Sequence, residues 1–346
     1  MKTALFNSLL AIIFIAALTV VGQAQDIHFA HVGHSPLNRN PGLTGVFSGD
    51  HRFIGNYRRQ WANVPVDYLT YSGSYDAKIY NKKNMDNFFS GGLVFNHDQA
   101  GDGGLKYISL GLNGSYTQML NDRNFLTLGI QAGAAQRSLT MEPLQFDNQY
   151  NAGSNQYDPS LGTGEATSTF SKTFADFGAG LNYHFQVAEK RTALDAGIGV
   201  FHFNTPNKSF FEERGDEDNL PARYSMYGIG TIMVAEKIDL LLHFTQSYQG
   251  PHQETFAGFG GRFHINQQRD KELAISLNLN YRLNNNDALI PVLGVRYRNW
   301  QAAFSYDLNI SDFSDATAGN GGPEFSIIHV ITTVKPVKTK ICPIYL

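Results

Sequence analysis

Across most of this 346-residue chain apolar and polar residues alternate, and that period of two is the strongest constraint on its fold. In Leu69–Ile79 the residues Leu69, Tyr71, Gly73, Tyr75, Ala77 and Ile79 share one face, and Thr70, Ser72, Ser74, Asp76 and Lys78 share the other. Leu273–Leu283 repeats the pattern, with Ala274, Ser276, Asn278, Asn280 and Arg282 on the polar face, and Ile108–Leu120 and Trp300–Leu308 alternate nearly as well. Weaker segments lie near 51–61, 87–98, 124–139, 172–185, 191–204, 222–233, 238–248, 254–265, 288–297 and 323–333. Segments of roughly 9–12 residues suit tilted strands crossing a bilayer and are too short for spanning helices. About fourteen such segments, an even number, predict an all-β transmembrane antiparallel β-barrel, with one side-chain set toward lipid and the other toward the lumen.

The connections agree. If the first strand leaves the periplasm, the even-numbered connections are short: Asn121-Asp122-Arg123, Gln186–Lys190, Ala235-Glu236-Lys237 and Arg298-Asn299. Two odd-numbered ones are long, Thr140–Ser171 and Thr205–Pro221, the second with the acidic run Glu212–Asp218. Short periplasmic turns and long external loops are the asymmetry of outer-membrane barrels, and a soluble sandwich has no reason to show it.

Met1-Lys2, the apolar stretch Leu9–Val21 and the small-x-small site Gly22-Gln23-Ala24 form a cleavable export signal over 1–24. Residues 25–50 carry Pro36 and Pro41, alternate little and form an expected periplasmic N-terminal segment. Such a segment can plug the lumen, follow the periplasmic rim or stay mobile, and the sequence does not choose. The barrel is expected over 51–333 and a periplasmic tail over 334–346. A mean hydropathy of −0.26 is compatible with a polar lumen. The net charge of −3 gives no reason to expect a nucleic-acid partner. Cys342 is the only cysteine, so there is no internal disulfide; it either pairs with another chain or is a free tail thiol.

Inward positions carry Arg52, Arg58, Asp76, Lys78, Arg282, Arg296 and Asp307. Charges at membrane depth must face water or each other. This mixed-sign set fits either a selective pore or threaded-segment surface, or a lumen filled by its own ion pairs. Tyr57, Trp61, Tyr116, Tyr183, Phe185, Trp300 and Tyr306 near strand ends suit interfacial girdles or cross-strand packing.

Catalytic and metal chemistry is sparse. His28, His31 and His34 recur every third residue, but Ser35-Pro36 breaks any helix that would align them, so no metal site is assigned. The segment Asn96–Gly104, with Asp98, Gly101, Asp102 and Gly103, lacks the spacing of a helix-flanked calcium loop and reads as a tight external turn. No nucleophile elbow or phosphate loop is present, and no cofactor is implied. His97 with Asp98, and His252 with Glu254, are the loop pairs worth testing for catalysis; strand neighbours point to opposite faces, which makes the first pair poor geometry.

Several short motifs, in order, resemble the PorP/SprF family of the type IX secretion and gliding systems of Bacteroidetes-type bacteria. They are Gln25–Phe29 with Ser35–Gly45, then Asn56–Trp61, Thr70–Asp76 and Asp98–Leu105. Gln136-Arg137-Ser138, Ser305-Tyr306-Asp307, Gly321–Phe325 and Cys342-Pro343 follow. Ile27 stands where the family usually has proline, and Ile344-Tyr345-Leu346 replaces its basic-aromatic ending. The resemblance implies a non-enzymatic outer-membrane protein that supports export or surface attachment of adhesins bearing a C-terminal secretion domain. It also implies contact with periplasmic ring and motor components and with outer-membrane lipid. A small-solute channel is the second reading and a barrel enzyme a distant third.

Overall fold

The structure is a computed structural model. It describes residues 26–333 apart from residue 32 and residues 62–67, 81–86, 102–103, 141–143, 165–168, 211–218, 269–270, 285–286, 312–313 and 315–318. The expected signal over 1–24, the tail with Cys342, and Asp102 and Gly103 lie outside the described residues.

Fourteen strands close into one antiparallel barrel. They are β1 (His51–Gln60), β2 (Tyr68–Tyr80), β3 (Asn87–Ala100), β4 (Leu105–Asn121), β5 (Asn124–Thr140), β8 (Thr169–Gln186) and β9 (Ala193–Phe201). The others are β10 (Arg223–Ala235), β11 (Ile238–Gln249), β12 (His252–Asn266), β13 (Leu273–Arg282), β14 (Ala288–Tyr297), β15 (Trp300–Asn309) and β16 (Asn320–Ile331). Two short strands, β6 (Tyr150–Asn151) and β7 (Gln156–Tyr157), form a separate ribbon in the connection between β5 and β8. Each barrel strand pairs with its chain neighbour, and β1 also pairs with β16, from His51↔Ile331 to Arg58↔Glu324. Closure leaves no unpaired edge, which is what a lipid environment requires of a sheet.

Burial follows the alternation. On β1, Arg52 and Ile54 face inward and are buried, while Phe53 between them is exposed on the outer face. The outer face carries large apolar residues such as Leu112, Ile130, Ile198, Phe259 and Leu277. The lumen buries polar groups, including Asp76, Asn182, Asp239 and Asp307. On the outer face Tyr57 packs on Tyr71 (5.3 Å between ring centroids), Phe89 on Tyr116 (5.0 Å) and Trp300 on His329 (4.0 Å).

The wall is uneven in height. Strands β4, β5 and β8 contain 17, 17 and 18 residues, more than the roughly 9–11 that cross a bilayer. The β4–β5 turn is tight, so the surplus extends toward the rim with the long connections. It shortens the expected loop Thr140–Ser171 to residues 141–168, because β5 and β8 stay paired out to Thr140↔Thr169.

For the N-terminal segment 25–50 the sequence left a lumen plug, a rim path and mobility open. Its described part, from Asp26 to Asp50, threads the lumen. Asp26 lies near Arg223 and Gln249, at the long-loop ends of β10 and β11, and Asp50 enters β1 at the opposite rim. Buried wall charges and amides require partners, and the backbone of this segment supplies them. Ala30 also joins a small apolar cluster with Phe256, Ala288, Ile290, Val292 and Ala303.

Candidate functional site: the plugged lumen

At the periplasmic end, Arg52 on β1 faces Asp76 on β2 across a register pair and donates Nε to Oδ1 (2.9 Å) and Nη2 to Oδ2 (2.7 Å). A two-pronged guanidinium–carboxylate pair is both strong and directional. Both partners also hold the plug: Arg52 donates to the carbonyls of Leu43 (3.2 Å) and Val46 (3.3 Å), and the Gly45 amide donates to Asp76 (2.8 Å). Lys78 donates to the Phe47 carbonyl.

Halfway along, the plug forms a 3-10 turn, Pro41–Leu43, with Asn40 as its cap. The Asn40 side chain is fully buried; its Oδ1 accepts from the Gly42 amide (2.7 Å), and its Nδ2 donates to the Leu181 carbonyl (2.9 Å) and the Tyr227 hydroxyl (3.0 Å). Tyr227 in turn donates to Asn182 (2.7 Å). The facing wall is glycine: a Cβ at Gly129 would strike the Pro41 carbonyl, and one at Gly180 would strike the Asn40 amide. Gly199 lies against Arg39 and Asn40 in the same bay. Asn38 exchanges amide hydrogen bonds with Asn96 (3.0 and 2.9 Å).

Toward the outer end the wall is ionic. Arg58 donates to Asp307 (2.8 Å) and to the His28 carbonyl (2.7 Å), and Arg282 also reaches Asp307 (3.2 Å). Glu324 accepts the Ala30 and His31 amides (2.8 and 3.0 Å) and lies 3.9 Å from Arg58. At the tip, Asp26 pairs with His202 and Arg223 (3.1 Å each), and the second His202 nitrogen meets Asp176 (2.8 Å). His202 leaves β9 with φ 54°, an uncommon conformation for a residue with a side chain. Burial opposes its charge, but Asp26 and Asp176 outweigh that cost and raise its pKa to about 9. Burial likewise opposes the Asp26 charge, and Arg223 and His202 overcome it, holding that carboxyl well below its usual range.

Arg52, Arg58, Asp76, Lys78, Arg282 and Asp307 all belong to this plug-binding wall. Arg296 stands apart near the periplasmic rim, 3.9 Å from Glu272. Asp98, expected in an external loop, sits on β3 facing inward and accepts from Thr70 (2.6 Å), because the β2–β3 ladder continues to Tyr68↔Ala100. Gly101 begins the turn beyond it, with φ 70°. His97 points away from Asp98, toward Tyr71. Glu254 lies 3.5 Å from His28 and 3.6 Å from Arg282. His31 and His34 share the Ser326 hydroxyl (3.3 and 2.6 Å), with their rings 5.2 Å apart. The plug partners Asn40, Glu324, Tyr227 and the glycine bay were not singled out from sequence. Asn40 and Glu324 lie within the motifs 35–45 and 321–325 without a role assigned to either, and Tyr227 and the glycines carried no signal.

Cavities among the described residues flank the plug, two of which bear on function. An outer one of about 410 Å3 is bordered by Ile27, Trp61, Tyr68, Tyr107 and Arg137. An inner one of about 140 Å3 lies against β10–β15.

A closed barrel with an apolar belt, a polar lumen and short turns on one rim is an integral outer-membrane protein, here with its own N-terminal segment as plug. The sequence matches the family described as type IX secretion system membrane protein PorP/SprF over residues 21–327, and the chain belongs to that family. No curated protein matches it. Among solved structures the fold is similar to the Ralstonia pickettii toluene transporter TbuX (TM-score 0.50, 12% identity, covering 86% of this chain and 92% of that one). It is also similar to the CymD monoaromatic hydrocarbon channel (TM-score 0.51, 9% identity, covering 87% and 94%). At these identities the likeness is one of fold.

Proposed function

We propose that this protein is a non-enzymatic, client-dedicated outer-membrane component of the type IX system, supporting export or surface attachment of an adhesin with a C-terminal secretion domain. Family membership over residues 21–327 is the observation that carries this reading. The connections 141–168 and Thr205–Pro221 contact the client at the tall outer rim, and the short-turn rim meets the periplasmic ring and motor. The first connection is in part preformed: β6 and β7 pair, and Gln149 is buried within it. A preformed loop loses less entropy on binding than a disordered one. Comparing surface and medium proteomes of a deletion strain with a complemented strain tests this. Loss of one or a few such adhesins, with other cargo still exported, is expected. An unchanged surface proteome would count against the role.

The two cavities on either side of the plug favour a second reading, a small-solute channel opened by plug displacement. Steady conductance of the purified barrel in planar bilayers would support it.

A further inference from the structure

The inner cavity differs from the ionic contacts at the two ends of the plug, because cationic side chains line it without a carboxylate among the described residues. That cavity is bounded by His34 of the plug and by Arg262, Asn278, Arg296 and Gln301 of the wall. Arg262 faces inward on β12 opposite Ser276, near the strand's periplasmic end. Among the described residues its guanidinium makes no salt bridge. The nearby carboxylates are committed elsewhere: Asp239 accepts from Arg191 (2.9 Å) and lies 2.7 Å from the His264 imidazole. Glu272 approaches only Arg296, at 3.9 Å, with both side chains about one third exposed. Among the described residues, no Asp or Glu lines the cavity beside His34, Arg262 and Arg296. Asn278 Oδ1, at the cavity wall, is buried without a partner among the described residues. The donor or acceptor sense of an amide is set by its flip, so Asn278 can turn its NH2 inward.

Convergent guanidinium groups, a neutral amide and an imidazole around a small cavity are the donor set for an oxyanion, because planar guanidinium forks match carboxylate and phosphate oxygens. We propose that the inner cavity binds a small soluble oxyanion, a carboxylate or phosphate, entering from the periplasm. Arg296 and Glu272 mark the open side at the short-turn rim. The site lies inside the barrel, away from lipid headgroups. The proposal does not rest on the secretion role, and its failure would leave that role untouched.

The test is titration calorimetry on the purified full-length barrel in detergent, with inorganic phosphate in one arm and succinate in the other, against chloride at matched ionic strength. Saturable binding in at least one arm is expected, and the responding arm identifies the oxyanion. Arg262→Gln and Arg296→Gln should each weaken it about tenfold or more, the effect of losing one charge-assisted contact, with Arg262→Lys intermediate. Gln301→Glu, which places a carboxylate in the cavity, should abolish binding while the barrel still migrates as a heat-modifiable band. Lack of saturable binding in both arms would overturn the proposal, as would binding unchanged by Gln301→Glu or by both glutamine variants.

Discussion

Two sectors of the lumen wall hold the same plug by different physics. The sector from β5 to β9 presents glycine and backbone to Asn40-Pro41-Gly42, and the fit is one of shape with neutral hydrogen bonds. The sector formed by β1, β2, β15 and β16 presents Arg52, Asp76, Arg58, Asp307 and Glu324, and holds the plug backbone through charge. Shape contact is indifferent to pH and salt but intolerant of a single added carbon. Charged contact tolerates small shifts but fails heavily when one partner is removed. The plug is therefore fixed at mid-height by shape and at both ends by charge.

The largest effect is expected from the charged sector. Arg58→Met leaves Asp307 and Glu324 in the buried wall with less compensation and should cost about 3–5 kcal/mol, read from the denaturation midpoint of the detergent-solubilised barrel. A loss below about 1 kcal/mol would mean that water already shares that load. Gly180→Leu is next. Its side chain collides with Asn40 and should cost about 1–3 kcal/mol or expel the plug. A cysteine placed by Asn38→Cys would then react readily with a thiol reagent, while the same cysteine in the unaltered barrel would be protected. Asn40→Ala leaves the Gly42 amide and Leu181 carbonyl without that partner and should cost about 1–3 kcal/mol.

The smallest effect is at the tip. His202 has its pKa raised from 6.5 to about 9 in the folded state, so its contribution is complete below about 6.5 and is lost as pH rises through about 9. The Asp26 carboxyl is depressed, so its contribution is present above its ordinary value of 3.8 and lost only as pH falls through the folded value. Thermal melts should therefore show tip stabilisation between these limits, fading toward alkaline pH, and His202→Gln should flatten that alkaline slope. An unchanged slope would mean that the pair does not anchor the tip.

Much of this fold was legible because a barrel strand shows its environment residue by residue. Leu69–Ile79 and Leu273–Leu283 alternate in sequence as they alternate between lipid and lumen, and Arg52, Arg58, Asp76 and Asp307 fell on the inward face by parity alone. Asp98 was misjudged because Gly and Asp favour turns locally, while pairing with β2 extended the ladder through it. The inward glycines of β5, β8 and β9 carried no local pattern, since glycine counts for neither face.

The amino-acid order thus determined the strands, their number, the sidedness of the loops and the polar character of the lumen, because each rests on a period of two or on loop length. The path of 26–50 was decided only in three dimensions. That segment has no period of its own, and its partners, Glu324, Tyr227, Arg223 and Gly180, are separated in sequence and brought around it only when β1 closes on β16.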